Sequence, residues 1–373
     1  MKYDRAKQKI QDLLEAADLH INGGHPWDPQ VNNPEFYPSV LLNGSLGVGM
    51  AYVEKWWDCL SLDEFYARLL RTSPQNELHK NWMLLSQILL SKLINRQTVL
   101  NAFSYAQKHY DLGNDLFIGM LDKRLVYTCA YWKEATTLDQ AQENKLDLTC
   151  RKLNLQPGMK VLDVGCGWGS FARYAAENYG VSVTGITVAE EQVKLANELC
   201  RNLPVEIKLM DYRQVHEKFD RIVSLGMFEH VGYKNYRKFM TTMNGCLKDD
   251  GLFLLHTIGS NITSTWTDPW IDKFIFPGTL LPSIKQIGQA IEGLFVMEDW
   301  HNFSADYDKT LMAWHQNFIF HWSELKDKYD EAFFRMWNYY LLSCAGSFRA
   351  RKNQLWQIVL SKEGIAGGYH RVQ

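Results

Sequence analysis

The sequence lacks the features of several protein classes. None of its seven cysteines form a C-x-x-C pair, so neither a zinc ribbon nor a redox motif is visible. No apolar stretch approaches the roughly 20 residues that span a bilayer. The opening "MKYDRAKQKIQDLLEAADLHI" has no apolar signal-peptide core. We therefore expect a protein of the reducing cytosol that is at most attached to a membrane surface.

Excess charge of one sign is also missing. With 40 basic and 42 acidic residues the net charge is -2, which argues against nucleic-acid binding through a general basic field. Metal-ligand spacing of the H-E-x-x-H kind is absent around Glu229, His230 and His256, so we predict no metal site. Aromatic residues are abundant at 13%, with 13 Trp. Such residues enlarge cores, line pockets for long apolar ligands and lie at membrane interfaces.

The pattern along the chain predicts two domains. Residues 1–95 are predicted to form a mostly helical N-terminal domain, residues 96–108 a linker, and residues 109–373 a larger domain. In the larger domain, strands such as "MKVLDVGCG", "VSVTGIT" and "FDRIVSLG" alternate with helices such as "FARYAAENYG". This alternation predicts an α/β fold, a Rossmann-like parallel sheet with helices on both faces. Aromatic-rich helices are expected near 305–345.

A glycine-rich turn follows the first predicted strand, in "VLDVGCGWGS" at 161–170. A nicotinamide site would require G-x-G-x-x-G and an acidic residue after the second strand. Here the third glycine comes one residue early and the second strand ends at Thr187. The motif instead resembles that of S-adenosylmethionine-dependent methyltransferases. The alternative is that the glycines only shape a strand-to-helix turn.

Longer stretches resemble a narrower family. They include "HYDLGNDLF", "YTCAYWKEATTLDQAQENKLD", "GMFEHVG", "LFLLHTIGS" and "MEDWHNFSADYDKTLMAW". Together they are similar to the bacterial cyclopropane-fatty-acyl-phospholipid synthases. The resemblance implies methylene transfer from S-adenosylmethionine to the cis double bond of an acyl chain in a membrane phospholipid. A carbocation, deprotonated by bound bicarbonate, would close to a cyclopropane ring.

The resemblance also implies partners and site residues. It implies a homodimer. We also expect peripheral association with the inner face of the cell membrane; the N-terminal domain at 1–95 could seat the protein on the bilayer, although packing between domains would produce the same pattern. The aromatic-rich helices at 305–345 could form a lid over the acyl tunnel, and ordinary core packing explains many of them equally well. The implied cofactor contacts are Tyr127, Thr128, Asp163, Gly165, Cys166, Gly167, Trp168, Gly169, Thr187, Gln192 and Tyr212. The implied bicarbonate site consists of Cys129, Glu229, His256, the Ile258 backbone and Tyr307.

Other interpretations stay open at this level. Glu229 could be a solvated loop carboxylate, Cys129 a buried small residue and His256 a core histidine, while Tyr307 could be an aromatic on a helix face. The basic residues of "SFRARKN" could contact phospholipid phosphates or form a solvated face. Three other functions compete: methyl-branch formation on the same alkene, lipid binding without catalysis, and methylation of a small molecule at oxygen or nitrogen.

Overall fold

A computed structural model describes residues 2–72 and 113–372 of the chain. The predicted linker at 96–108 and the helix-like stretch before it lie outside these residues. The described chain divides into two units, each built from separate segments. Of the described residues, one unit comprises 2–72, 266–277 and 307–353, and the other comprises 113–265, 278–306 and 354–372.

The first unit is mostly helical. Its helices are α1 (Lys2–Glu15), α2 (Phe36–Asn43), α3 (Ser45–Val53), α4 (Leu62–Thr72), α10 (Pro269–Phe274), most of α12 (Ala305–Leu325) and α13 (Glu331–Arg349). Two short antiparallel strands, β1 (Gln30–Val31) and β2 (Trp57–Asp58), were not expected from the sequence. Aromatic side chains fill the interior: the ring of Trp270 lies 4.5 Å from that of Tyr339, and Trp57 is fully buried against Phe65.

The second unit contains a seven-stranded sheet. Its strands are β3 (Lys160–Val164), β4 (Ser182–Thr187), β5 (Val205–Leu209), β6 (Phe219–Leu225), β7 (Leu247–Ser260), β8 (Val296–Asn302) and β9 (Asn353–Ser361). Its helices are α5 (Asn114–Met120), α6 (Leu138–Lys152), α7 (Ser170–Tyr179), α8 (Glu190–Leu199), α9 (Tyr236–Cys246) and α11 (Ile284–Ile291). The strand order is β5-β4-β3-β6-β7-β9-β8. Strands β3 to β7 pair in parallel, whereas β8 and β9 are antiparallel. This confirms the predicted α/β class.

Both faces of the sheet are buried, which explains its near-continuous apolar strands. Val161, Val223 and Leu254 join one hydrophobic cluster, and their neighbours Leu162 and Ile222 join the cluster on the opposite face. Successive side chains of a strand point to opposite faces, so covering both requires helices on each side. Because these strands run in parallel, the carboxyl ends of β3, β4, β6 and β7 lie at the same edge of the sheet, where open α/β sheets bind ligands.

The aromatic-rich helices differ in their grouping from the sequence expectation. They were predicted as a lid insertion of the larger domain, but α12 from Tyr307 onward and all of α13 belong to the unit that contains the N-terminal helices. Helix α13 packs along α4 there. The lid role stays a prediction.

Arg349 is held by acidic side chains. Its guanidinium makes a bidentate contact with Asp308 at 2.9 and 3.0 Å and reaches Asp63 at 2.7 Å. These carboxylates occupy the fork that would bind a lipid phosphate, so the phosphate interpretation of Arg349 is not supported. Within the described residues, no helix combines the length and apolar character needed to cross a bilayer.

Candidate functional site

The glycine-rich turn after β3 adopts a backbone conformation that favours glycine. Gly165, Gly167 and Gly169 have φ angles of 81, 56 and 76°, which L-residues with side chains rarely adopt. A Cβ at Gly165 would lie 2.7 Å from the side chain of Met227. The Gly165 and Cys166 amides donate to the Ile186 carbonyl at 2.9 and 3.0 Å, which fixes the turn against β4.

This turn forms one wall of a pocket at the carboxyl edge of the sheet. The pocket has a volume of about 530 Å³ and is partly open to solvent. Eight of the predicted cofactor contacts line it: Tyr127, Thr128, Asp163, Gly165, Cys166, Gly167, Trp168 and Gln192. The structure thus brings together most of the positions that the resemblance implied for the cofactor.

Three predicted cofactor contacts, Gly169, Thr187 and Tyr212, are not among the described residues that line the pocket. Gly169 caps the N-terminus of α7. Thr187 is buried and donates through Oγ1 to Oε1 of Gln192 at 2.9 Å, so it orients a residue that does line the pocket. Tyr212 is buried with its ring 5.0 Å from that of Phe239. Their contacts with a cofactor stay predictions.

Asp163, at the end of β3, is a buried carboxylate with an unused acceptor. Its Oδ2 has no hydrogen-bond partner among the described residues. Burial raises its pKa to about 7, and the nearby charge of Lys145 opposes that rise. A buried carboxylate with an unpaired oxygen favours the binding of a cationic or hydrogen-bond-donating ligand. The α-ammonium of S-adenosylmethionine has that chemistry, so the pocket fits this cofactor.

Helix α6 contributes two residues that lie in a quoted family stretch but were not singled out from the sequence. Gln142 donates through Nε2 to the Val126 and Thr128 carbonyls at 3.3 and 2.8 Å, and Lys145 donates to Thr128 Oγ1 at 2.8 Å. Two polar side chains of the helix therefore hold the pocket wall around Thr128. The Thr137 N-cap, which accepts from the Gln140 amide, was a local signal for this helix.

Glu229 and Ile258 meet at the ends of β6 and β7. The side chain of Glu229 is only 4% exposed. Its Oε1 accepts from the Ile258 amide at 2.6 Å, and its Oε2 has no partner in the described part of the chain. Burial raises the pKa of this carboxyl to about 7. The solvated-loop interpretation of Glu229 is therefore wrong, because this carboxylate is buried and aimed by the backbone of β7.

His256 lies two residues before Ile258 on β7. Its Nδ1 is 3.4 Å from Nε2 of Gln357, and that amide also donates to Thr149 Oγ1 at 3.2 Å. Because the Thr149 hydroxyl itself donates to the Lys145 carbonyl, its oxygen accepts from Gln357. The amide nitrogen thus faces His256, whose Nδ1 accepts and whose Nε2 carries the proton. Burial keeps the pKa of His256 well below its usual value, so the ring is neutral.

The glycine-lined pocket adjoins strand β7 at the backbone of His256. Gly226 lines the pocket, and its amide donates to the His256 carbonyl at 2.9 Å. Gly226 has a φ of 68°, and a Cβ there would lie 2.6 Å from Cγ2 of Thr128. Glycine therefore allows the two parts of the site to approach closely.

The two remaining predicted residues have different settings. Cys129 follows the Thr128 wall and is fully buried, with Sγ 3.2 Å from the Ala130 carbonyl oxygen. Tyr307 belongs to the first unit, where its ring lies 4.5 Å from that of Phe348 and 6.0 Å from that of Trp314. A role for either residue in binding bicarbonate stays a prediction.

Sequence comparisons find relatives along nearly the whole chain. A family model described as mycolic acid cyclopropane synthetase matches residues 97–358. The chain is 52% identical over 357 residues to a cyclopropane-fatty-acyl-phospholipid synthase of Escherichia coli K12, covering 96% of this chain and 93% of that one. It is 36% identical over 380 residues to a probable fatty acid methyltransferase of Pseudomonas putida, covering 97% of this chain and 89% of that one.

Solved structures agree with the sequence comparisons. The cyclopropane synthase MmaA2 from Mycobacterium tuberculosis has a TM-score of 0.66 at 33% identity, covering 70% of this chain and 98% of that one. The mycolic acid cyclopropane synthase CmaA1, complexed with SAH and CTAB, has a TM-score of 0.65 at 34% identity, with the same coverage of 70% and 98%.

Proposed function

Since this chain belongs to the mycolic acid cyclopropane synthetase family and is an S-adenosylmethionine-dependent methyltransferase, we propose that it transfers a methylene group to the cis double bond of unsaturated acyl chains in membrane phospholipids. The product is a cyclopropane fatty acyl chain. The observation that carries this choice of substrate is the 52% identity to a phospholipid-acting relative over 96% of the chain. The similarity to the mycobacterial MmaA2 structure, by contrast, covers only 70% of this chain.

The pocket suits the cofactor's part in this reaction. When bound, S-adenosylmethionine supplies an electrophilic methyl group to the alkene, which is a weak nucleophile. The residues of this chain bind and orient the cofactor: the glycine turn admits it close to the backbone, and Asp163 offers an acceptor for its ammonium. Fixing the methyl donor in line with the alkene is the main contribution expected of such a site.

We propose that Glu229 and His256 hold bicarbonate as the base. The Nε2–H of His256 is a donor for an oxyanion, and the unpaired Oε2 of Glu229 is an acceptor for a hydroxyl. Bicarbonate carries both groups, so the pair determines which oxygen is left to accept the proton. Because Oε1 of Glu229 is held by the Ile258 amide, the carboxylate cannot rotate freely. Cys129 and Tyr307 complete the proposed site by family resemblance.

The reaction also requires contact with the bilayer that contains the acyl chains. We therefore propose peripheral association with the inner face of the cell membrane, and the family resemblance supports a homodimer. Cosedimentation with phospholipid vesicles tests the first proposal. Size-exclusion chromatography with light scattering tests the second.

Identification of the lipid product tests the proposed function. The protein is incubated with S-adenosylmethionine and vesicles of a monounsaturated phospholipid, and the released fatty acids are analysed by mass spectrometry before and after mild hydrogenation. We expect a product one methylene heavier than the substrate acid that resists hydrogenation. A reducible or saturated branched product would show methyl-branch chemistry. No lipid product despite measured cofactor binding would favour a different acceptor or a binding protein.

A further inference from the structure

Lys145 is a buried cation whose hydrogen-bonding capacity is mostly unused. Its side chain is 0% exposed, and its ammonium makes one hydrogen bond within the described residues, to Thr128 Oγ1. An ammonium has three donors, so two of them have no acceptor there. A buried charge without adequate partners is costly. The protein retains this charge in the wall of the pocket, which calls for a ligand that compensates it.

The acidic groups near Lys145 compensate its charge only in part. Asp122 already accepts from the Arg124 and Val126 amides at 2.9 and 2.8 Å. Asp163 lines the same pocket, but its Oδ2 is unpaired. Burial lowers the pKa of Lys145 to about 8 despite the attraction of Asp122, Cys129 and Asp163. An incoming anion would therefore find an attractive charge that the protein has not neutralised.

Several other anion-binding groups of the pocket wall are already occupied. The Gly165 and Cys166 amides donate to the Ile186 carbonyl, and the Ser170 hydroxyl donates to the Arg124 carbonyl at 2.7 Å. Among the residues that line the pocket, as far as the structure describes them, Lys145 is the one basic side chain. An anionic group that enters the pocket therefore meets its charged donor on α6 rather than on the glycine turn.

We propose that Lys145 binds the α-carboxylate of the methionine part of S-adenosylmethionine. The inference rests on the proposed cofactor site, and it adds a residue that the glycine motif does not contain. An α-amino acid carries one ammonium and one carboxylate, and the wall offers their complements in Asp163 and Lys145. The pair thus recognises the amino-acid end of the cofactor, while Thr128 holds the lysine in place.

Ligands with and without the amino-acid end test this role. S-Adenosylhomocysteine has the α-carboxylate, whereas 5′-methylthioadenosine lacks the whole amino-acid end. We expect Lys145→Met to weaken binding of S-adenosylhomocysteine about 10- to 100-fold, as for loss of a charge-assisted hydrogen bond. Binding of 5′-methylthioadenosine should change by less than about twofold. Isothermal titration calorimetry measures both affinities.

Lys152→Met is the matched control. Lys152 lies on the same helix and is equally buried, but it contacts His301 at 3.0 Å and does not line the pocket. This variant should bind both ligands like the wild type. Thermal unfolding without ligand checks the fold of each variant. Lys145→Gln, which keeps a donor for Thr128 without the charge, replaces Lys145→Met if that variant does not fold.

Three results would overturn the proposal. An equal loss of affinity for both ligands would show that Lys145 only supports the wall, and unchanged binding of S-adenosylhomocysteine would show that it does not contact the carboxylate. Wild-type affinity for decarboxylated S-adenosylmethionine equal to that for S-adenosylmethionine would also contradict it. Because these experiments measure only binding, a result that contradicts the role of Lys145 does not contradict cyclopropane formation. Absence of the lipid product in turn leaves the binding result standing.

Discussion

A buried carboxylate that lacks a partner for one oxygen destabilises the folded protein when it ionises, and Glu229 is in this situation. Its pKa in the folded protein is raised by burial to about 7 from a usual value of 4.5. Between these two pH values the folded state binds more protons than the unfolded state. Stability from this group is therefore lost as pH rises through that window. The protein retains a group that opposes folding, as sites that bind ligands often do.

Replacing Glu229 by Gln should stabilise the protein in a pH-dependent way. We expect the melting temperature of Glu229→Gln to exceed that of the wild type at pH 8, with a smaller difference at pH 5, where the wild-type carboxyl is protonated. Differential scanning calorimetry at the two pH values measures this. Glu363→Gln, at an exposed position, is the control and should show no such difference. A Glu229→Gln effect independent of pH would contradict a raised pKa.

The residues of the site were predictable to different degrees. Glu229 follows β6, His256 lies on β7, and both lie in long family motifs, so the sequence was enough to nominate them. The role of Lys145 was not predictable, although this residue lies in the family stretch "YTCAYWKEATTLDQAQENKLD", because a lysine on a helix is usually solvated and its burial depends on packing between α6 and the sheet. The tautomer of His256 depends on Gln357, about 100 residues away, and no local pattern contains that information.

At the scale of elements, α13 and α4 of the first unit pack at unusually close range. A Cβ at Gly346 would overlap the Asp63 carbonyl oxygen and would lie 2.6 Å from Cβ of Tyr66. Small residues at such a position let two helix backbones approach, and an added methyl must push them apart. Tyr66 of α4 contacts Tyr339 of α13 in the same region.

Replacing Gly346 by Ala should therefore destabilise the protein. We expect a loss of about 1–3 kcal/mol from overpacking, although alanine favours helices. Gly288→Ala in α11 is the matched control, because nothing lies within 4 Å of its Cβ position. That change should stabilise by about 0.5–1 kcal/mol. Urea unfolding measures both, and equal effects of the two substitutions would contradict close packing at Gly346.

Most strands of the sheet were predictable because each is an apolar run bounded by glycine or polar residues. Gly180 ends α7 in the left-handed conformation, at the last residue of the predicted helix "FARYAAENYG". The β1–β2 pair was not predictable, since each strand has two residues and no pattern at that length is specific. The membership of α12 and α13 in the first unit was not predictable either, because an aromatic-rich helix can pack against any apolar surface.

At the scale of the whole molecule, each unit is assembled from segments far apart in sequence. The chain leaves the first unit, contributes to the sheet unit and returns twice, at residues 266–277 and 307–353. A boundary predicted as one position along the chain cannot represent such an arrangement. The resemblance identified the reaction class correctly because its motifs report the site, whereas domain membership depends on contacts between distant segments.

We propose for the whole enzyme that Glu229 and His256 hold bicarbonate, which acts as the base when the ring closes. The most direct measurement is the rate of cyclopropane formation on phospholipid vesicles in CO₂-depleted buffer, with and without added bicarbonate. We predict that bicarbonate raises the wild-type rate about tenfold or more, that the rate saturates, and that Glu229→Gln binds S-adenosylhomocysteine normally but responds little. Equal wild-type rates with and without bicarbonate would contradict the account.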